Sequence, residues 1–450
     1  MTRIKAGMKR IKKNWFDPGF DPAFHPCSSS LNGLFPGATA MTTRRQFLQT
    51  SALVGFGATV PTFLGRTAVA APDAAEHGAK DTILVVVQLT GGNDGLNTVI
   101  PFADPDYAKC RPTIGVKKAD VKKLTDDLGL HPAMGDFAAL YEDKKLAVVQ
   151  GIGYPNPSQS HFRSMDVWHA ASTDESLTEG WIGKALKQKA APAFHLAESG
   201  TDTAPLALTG APARVPSITS LEDFQLKTAA ANATDKAKQK QLIEAVSQGG
   251  SGEPDLLDFV RRTAVTSYAS SDKLQKIGKG YVPKATYPNT PLANRLKLAA
   301  QLIDGGIGAR IFYVSIDGFD THSGQGGATG SHANLLTAVS GAVAAFYKDV
   351  AARGHGDRVC VLTFSEFGRR AKENGSHGTD HGSAAPMFLV GGKVKAGVVG
   401  AHPSLAKLDD GNLVHHTDFR RVYASVLTDW LGLDATKVLG KGFDKLPLFG

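Results

Sequence analysis

The chain has 450 residues, 42% hydrophobic and 20% charged, enough apolar material to bury a large core as one big domain or two. Its formal charge of +8 is confined to one end: residues 1–71 hold nine Lys/Arg against two acids, while the other 379 hold 41 against 40. A nearly neutral body implies no basic face, so nucleic acid is not an expected partner, and three cysteines, Cys27, Cys110 and Cys360, exclude a disulfide scaffold while leaving a Cys110–Cys360 pair undecided.

In chain order, residues 1–40 read as an unstructured upstream extension, because Met41 directly precedes the pair Arg44-Arg45. With Phe47-Leu48 that pair resembles the twin-arginine export signal. An apolar stretch at 51–64 and the small residues Ala68-Val69-Ala70 complete a cleavable leader over 41–71. The apolar stretch is short and carries glycines, so no stable membrane anchor is expected. The mature protein is expected to start near Ala71, with the twin-arginine translocase as its export partner, and to reside in the periplasm or outside the cell.

Beyond the leader a single α/β domain is expected over 80–450. Residues 81–89, DTILVVVQL, are a continuous apolar run of the kind buried on both faces of a parallel sheet. The loop Thr90-Gly91-Gly92-Asn93-Asp94-Gly95 follows; it is not a dinucleotide fingerprint, but an acid after the first strand of an open sheet stands where ligands bind. A helix is predicted over 131–143 and a second strand, LAVVQGIG, over 146–153. After YPNPSQ comes a helix opening with Ser160-His161-Phe162. Ser160 has two readings, the N-cap of that helix or a nucleophile at a strand–loop–helix junction whose amides favour an anion. Residues 187–290 read as an insertion or cap over the sheet, with APLALTG (204–210) as a candidate strand, before a helix over 291–304.

Residues 309–322, ARIFYVSIDGFDTH, form a buried strand running into Asp317, Asp320 and His322. Two carboxylates and an imidazole at the end of a buried strand are costly unless something positive holds them. A divalent metal would do so, since carboxylate oxygens and neutral imidazoles are its standard ligands; Zn, Mn, Mg and Ca all remain open. A helix at about 331–353 precedes the strand 357–364, which ends in Ser365-Glu366-Phe367-Gly368-Arg369-Arg370. Glu366 is again an acid at a strand end, and Arg369 and Arg370 are either anion contacts or partners of a surface ion pair. The stretch SHGTDHGSAAPMFLVGG (376–392) sets Asp380-His381 just before another strand, and 417–432 reads as an amphipathic helix capped by Thr417. Strand ends that deliver Asp94, Asp317, Asp320, His322, Glu366 and His381 to one rim of a parallel sheet would make a metal centre.

The stretches LTGGNDGLNTVIP, SQSHF, DGFDTHSGQ, FSEFGRR and GTDHG, behind a twin-arginine leader, resemble the bacterial domain-of-unknown-function 1501 family over nearly the whole mature chain. That family is similar to the alkaline phosphatase and sulfatase superfamily. The resemblance implies a three-layer α/β sandwich with a mostly parallel central sheet. It also implies an exported, metal-dependent hydrolase acting on a small anionic phosphate or sulfate ester through a serine nucleophile. It places one metal on Asp317 or Asp320, His322 and His381, a second near Glu366 and Asp94, the nucleophile on Ser160 with Ser158 as neighbour, and oxyanion contacts on Arg369 or Arg370. Phe367 stands where a second ligand belongs, which leaves a single-metal centre or a non-catalytic binding protein as the alternative. The sulfatase nucleophile motif is absent, since Cys110-Arg111-Pro112-Thr113 is followed by Ile114 where that motif carries an arginine.

Overall fold

A computed structural model describes residues 81–189, 191–199, 203–212, 215–221 and 280–450. The leader, the upstream extension, Cys27 and much of the expected insertion lie outside the described residues.

The sheet is nine-stranded and starts from β1, Ile83–Leu89, all of whose residues are buried. Every second side chain goes to a different layer. Ile83, Val85, Val87 and Leu89 enter one core, and Leu84 and Val86 enter the other. A two-faced strand of this kind explains the unbroken apolar run in the sequence. Each buried aliphatic side chain contributes about 1.5–3 kcal/mol.

The other strands are β2 (Leu146–Gly153), β3 (Ala193–Leu196), β4 (Ser217–Ile218), β5 (Ile311–Ile316), β6 (Val359–Phe364), β7 (Ala385–Gly391), β8 (Gly397–Val399) and β9 (Thr417–Asp418). Their order is β8-β2-β7-β6-β1-β5-β3-β4, with β9 also paired to β2. All pairings in this sheet are parallel except those of β7, which runs antiparallel to both β2 and β6. Because β7 runs the other way, its amino end lies at the rim where the parallel strands have their carboxyl ends. That is how Asp380-His381, which precede a strand, reach the same edge as loops that follow strands.

Helices cover both faces. On one side α1 (Gly135–Glu142), α4 (Pro291–Asp304) and α5 (Ser331–Ala352) bury their apolar sides. On the other side α2 (His161–Ala170), α3 (Trp181–Gln188), α6 (Phe419–Ser425) and α7 (Ala435–Leu439) do the same. The result is the expected three-layer α/β sandwich with a mostly parallel central sheet. The 22 residues of α5 have a mean hydropathy of 1.3 over their best window, enough to cross a bilayer by length and composition, but its apolar residues pack into the first core.

Three expectations change. The region 187–290 is not wholly an insertion, since β3 and β4 extend the central sheet, and 206–208 is a short 3-10 turn where a strand was expected. Asp418, not Thr417, caps α6, accepting from the amide of Arg420, and the helix loosens into a π turn at Val426–Trp430. Cys110 and Cys360 are both buried free thiols in different apolar clusters, so they form no disulfide.

Candidate metal centre

Parallel register sets Leu89 opposite Ile316 and Gln88 opposite Phe364, so the loops after β1, β5 and β6 leave the sheet at one level. Two glycines let these loops close on one another. At Gly91, with φ +117°, a Cβ would stand 2.3 Å from the Asp320 amide nitrogen; at Gly92, with φ +80°, it would stand 2.3 Å from the Phe367 ring.

Four side chains converge there. His322 Nε2 is 2.9 Å from His381 Nε2, and each of these nitrogens is 3.1 Å from Asp320 Oδ1. His161, the first residue of α2, brings its Nε2 to 3.4 Å from Asp320 Oδ2. The ligating atoms of His161, Asp320 and His381 all lie within 4.8 Å of one another. Phe367 packs beside the cluster, its ring 4.9 Å from that of His161 and 4.7 Å from that of His381.

The outer nitrogens of the three rings are all committed to oxygen acceptors. His161 Nδ1 meets Glu366 Oε1 at 2.8 Å, His322 Nδ1 meets Asp380 Oδ1 at 3.3 Å, and His381 Nδ1 meets the Gln159 carbonyl at 2.8 Å. An acceptor at Nδ1 fixes the proton there, so in each neutral ring Nε2 keeps its lone pair. Three lone pairs and a carboxylate therefore face each other. His161 Nε2 is buried and has no hydrogen-bond partner among the described residues. Donors about 2.0–2.2 Å from one tetrahedral ion are themselves roughly 3.3–3.6 Å apart, close to the spacings here. The donor set of His161, Asp320 and His381 fits one divalent cation, with His322 beside it at 3.1 Å from Asp320 Oδ1, and outer carboxylates on ligating histidines are the usual support of such a site.

Arg369 holds the base of the cluster. Its guanidinium is fully buried and reaches Asp320 Oδ1 at 2.6 Å, the carbonyls of Gly92 and Thr379 at 2.7 Å each, that of Phe319 at 3.1 Å, and that of Gly91. Burial works to raise the Asp320 pKa, yet the hydrogen bond and positive charge of Arg369 bring it down to about 2. The carboxylate is thus ionised and ready to ligate at any ordinary pH.

Each predicted site residue now has a place. Asp320, His322 and His381 come together; Asp317 does not, and lines a separate cavity of about 900 Å³ with Gln88, Glu198 and Arg295. Glu366 is buried behind the cluster as the partner of His161, and it also accepts from the Gly91 amide at 2.8 Å. Asp94 is sealed in an ion pair with Arg111, at 2.6 and 2.9 Å, and is not a ligand. Arg369 is spent on carbonyls and Asp320, so it cannot contact an oxyanion, and Arg370 turns to Asp410 at 3.2 Å.

Ser160 is exposed in the N-cap position of α2, but its side chain makes no capping hydrogen bond. Its neighbours on either side, Gln159 and His161, are both fastened into the cluster. His161 itself is the functional residue that reading the sequence missed. The signal was its place beside Ser160, at the start of a helix whose amides favour an anion.

The family described as "Protein of unknown function (DUF1501)" matches residues 79–445. No curated protein matches the chain. Among solved structures, the PsFucS1 sulfatase of Pseudoalteromonas sp. is similar at 11% identity and a TM-score of 0.36, over 90% of this chain and 75% of that one. The C-terminal periplasmic domain of EcEptC from Escherichia coli, in complex with Zn, is similar at 11% identity and a TM-score of 0.35, over 70% and 74%. The alkaline phosphatase of the Antarctic bacterium TAB5 is similar at 8% identity and a TM-score of 0.30, over 69% and 92%.

Proposed function

The chain belongs to the family of unknown function DUF1501, and we propose that this protein is an exported, metal-dependent hydrolase of phosphate or sulfate esters with Ser160 as its nucleophile. The observation that carries the reading is the set of three imidazoles, each with Nδ1 tied to an oxygen and Nε2 turned to Asp320. Lone pairs gathered so closely need a cation between them.

A divalent cation held by His161, Asp320, His322 and His381 would supply a Lewis acid for the ester oxygen and for the serine hydroxyl. The chain does the rest. Gln159 and His161 pin the backbone on both sides of Ser160, which fixes where its hydroxyl is offered. α2 begins at His161, itself a member of the cluster, and a helix N-terminus favours a bound anion. The serine oxygen bonds to phosphorus or sulfur as the bond to the alcohol oxygen breaks, and the serine proton leaves with the alcohol. Water then cleaves the serine ester. With Arg369 sealed, Arg370 is the remaining candidate for the free ester oxygens; it must first leave Asp410, an exposed partner worth little in water.

A second reading, an exported binding protein without turnover, is favoured by Phe367, an apolar ring against two of the cluster histidines. The test is a panel of phosphate monoesters, diesters and aryl sulfates given to wild type, Ser160→Ala and Ser158→Ala/Ser160→Ala. Hydrolysis of one class, lost in Ser160→Ala without loss of melting temperature, is the expected result. Full turnover by the double variant contradicts a serine mechanism. Metal binding without turnover of any ester supports the binding protein.

A further inference from the structure

Beneath the cluster lies a sealed polar column whose side chains hydrogen-bond one another and the backbone, not the side chains of the four proposed ligands. Asp94, Arg111, Gln325 and Thr379 are at most 2% exposed, and Thr321 6%. Arg111 grips Asp94 through two bonds and donates to the carbonyls of Arg370 and Ala371. The Gln325 amide nitrogen donates to Asp94 Oδ2 at 2.6 Å. Its oxygen accepts from two hydroxyls at 2.8 Å each, those of Thr321 and Thr379.

The position of those two threonines is what matters. Thr321 stands between Asp320 and His322, and Thr379 stands two residues before His381. The two segments also meet through the Thr379 amide and the Thr321 carbonyl at 3.0 Å. One carboxamide therefore clasps the two loops that carry three of the four ligands. The loops come from different strands, and their separation fixes the distance between His322 and His381.

We propose that Gln325, anchored by the Asp94–Arg111 pair, is a positioning residue that holds the two ligand loops at metal-binding distance. This rests on the reading of the four-residue cluster as a metal centre. A purely structural role would cost stability and nothing else. A positioning role costs metal affinity and changes the geometry around the ion, because ligand loops that drift apart no longer offer their donors together.

The test uses the mature protein, titrated with Zn²⁺ and with Co²⁺, whose visible spectrum reports coordination geometry. Thr321→Val/Thr379→Val removes only the two hydroxyls and keeps side-chain shape; Gln325→Met removes the clasp itself. Thr321→Ser/Thr379→Ser keeps the hydroxyls. The control is Tyr287→Phe, which removes a 3.0 Å hydrogen bond to Asp349 near the far end of α5. Asp349 is 17 residues, roughly 25 Å, along that helix from His332, which bonds Asn93 next to Asp94.

The valine pair is expected to raise the metal dissociation constant about 10- to 100-fold and to alter the Co²⁺ spectrum. The serine pair should restore both, and Tyr287→Phe should change neither. A valine pair that melts lower yet binds metal within twofold of wild type, with the same spectrum, overturns the clasp and leaves the metal centre standing. Wild-type protein that binds no metal overturns the centre and the clasp with it.

Discussion

Asp94 and Asp320 start from the same pattern, an acid in a glycine-bearing loop just beyond a buried strand, and end in opposite conditions. Asp94 is wholly buried, bonded on both oxygens to Arg111 and on one to Gln325. The Asp320 side chain is 47% exposed, with Arg369 behind it and three imidazole nitrogens in front. The first has both oxygens bonded by the fold. The second keeps lone pairs for a guest. What separates structure from function here is not the residue type or its place on the strand, but whether the protein itself completes the partner set.

The largest test of that contrast removes each acid. Asp94→Ala leaves the Arg111 charge buried without its partner, so unfolding free energy should fall by about 3–5 kcal/mol in denaturant melts. Asp320→Ala also takes the carboxylate partner from buried Arg369, but four backbone carbonyls still accept from that guanidinium, so it should cost the metal-free protein less while abolishing metal uptake. Equal stability losses would erase the distinction.

The sealed region should also contribute to the response to acid, alongside His169, whose pKa burial pushes down to about 3. His332, bonded to Asn93 beside Asp94, has its pKa pushed down by burial to about 4, with the Asp94 charge opposing. The unfolded chain protonates this ring below its ordinary value near 6.5, while the folded chain does not until about pH 4. Stability should therefore decline as pH falls from about 6.5 to about 4, by roughly 3 kcal/mol from this residue, and then level for it. His332→Gln should reduce that slope in urea melts run across the range; an unchanged slope would exclude His332 as a source of it.

Smaller effects sharpen the open side. Glu366→Gln removes the carboxylate behind His161 and should weaken metal binding by about 10- to 100-fold, read by competition with a chelator. Binding as tight as wild type would mean that Glu366 does not orient the ligand. The smallest expected stability change is that of Ser160→Ala. A side chain that makes no capping bond should cost less than the ~1 kcal/mol of a working cap, and a larger loss would restore the cap reading.

Much of this architecture was legible before any coordinates. β1, β5 and the helix at 291–304 stood out because burial on two faces or on one stripe leaves a direct mark on the sequence. The trio Asp320, His322 and His381 was legible because each stands at a strand terminus in a dense polar motif. The failures have a common cause. That Asp94 is consumed depends on Arg111 and on Gln325, 231 positions away, and no local pattern announces such pairings. Arg369 and Arg370 look equivalent in sequence, yet one is buried under five oxygen acceptors while the other faces solvent. His161 has no periodic neighbour to mark it, and only the packing of α2 against Glu366 reveals its use. The weak signals of the two short strands β3 and β4 were lost in polar surroundings for a similar reason.

The central claim is that His161, Asp320, His322 and His381 hold one divalent cation. Elemental analysis of the purified, folded protein tests it most directly, alongside His161→Ala/His381→Ala prepared in the same way. One equivalent of a divalent metal in the wild type, absent from a double variant that still folds, is the predicted result. No metal in the wild type, or a full equivalent retained by the double variant, would contradict it.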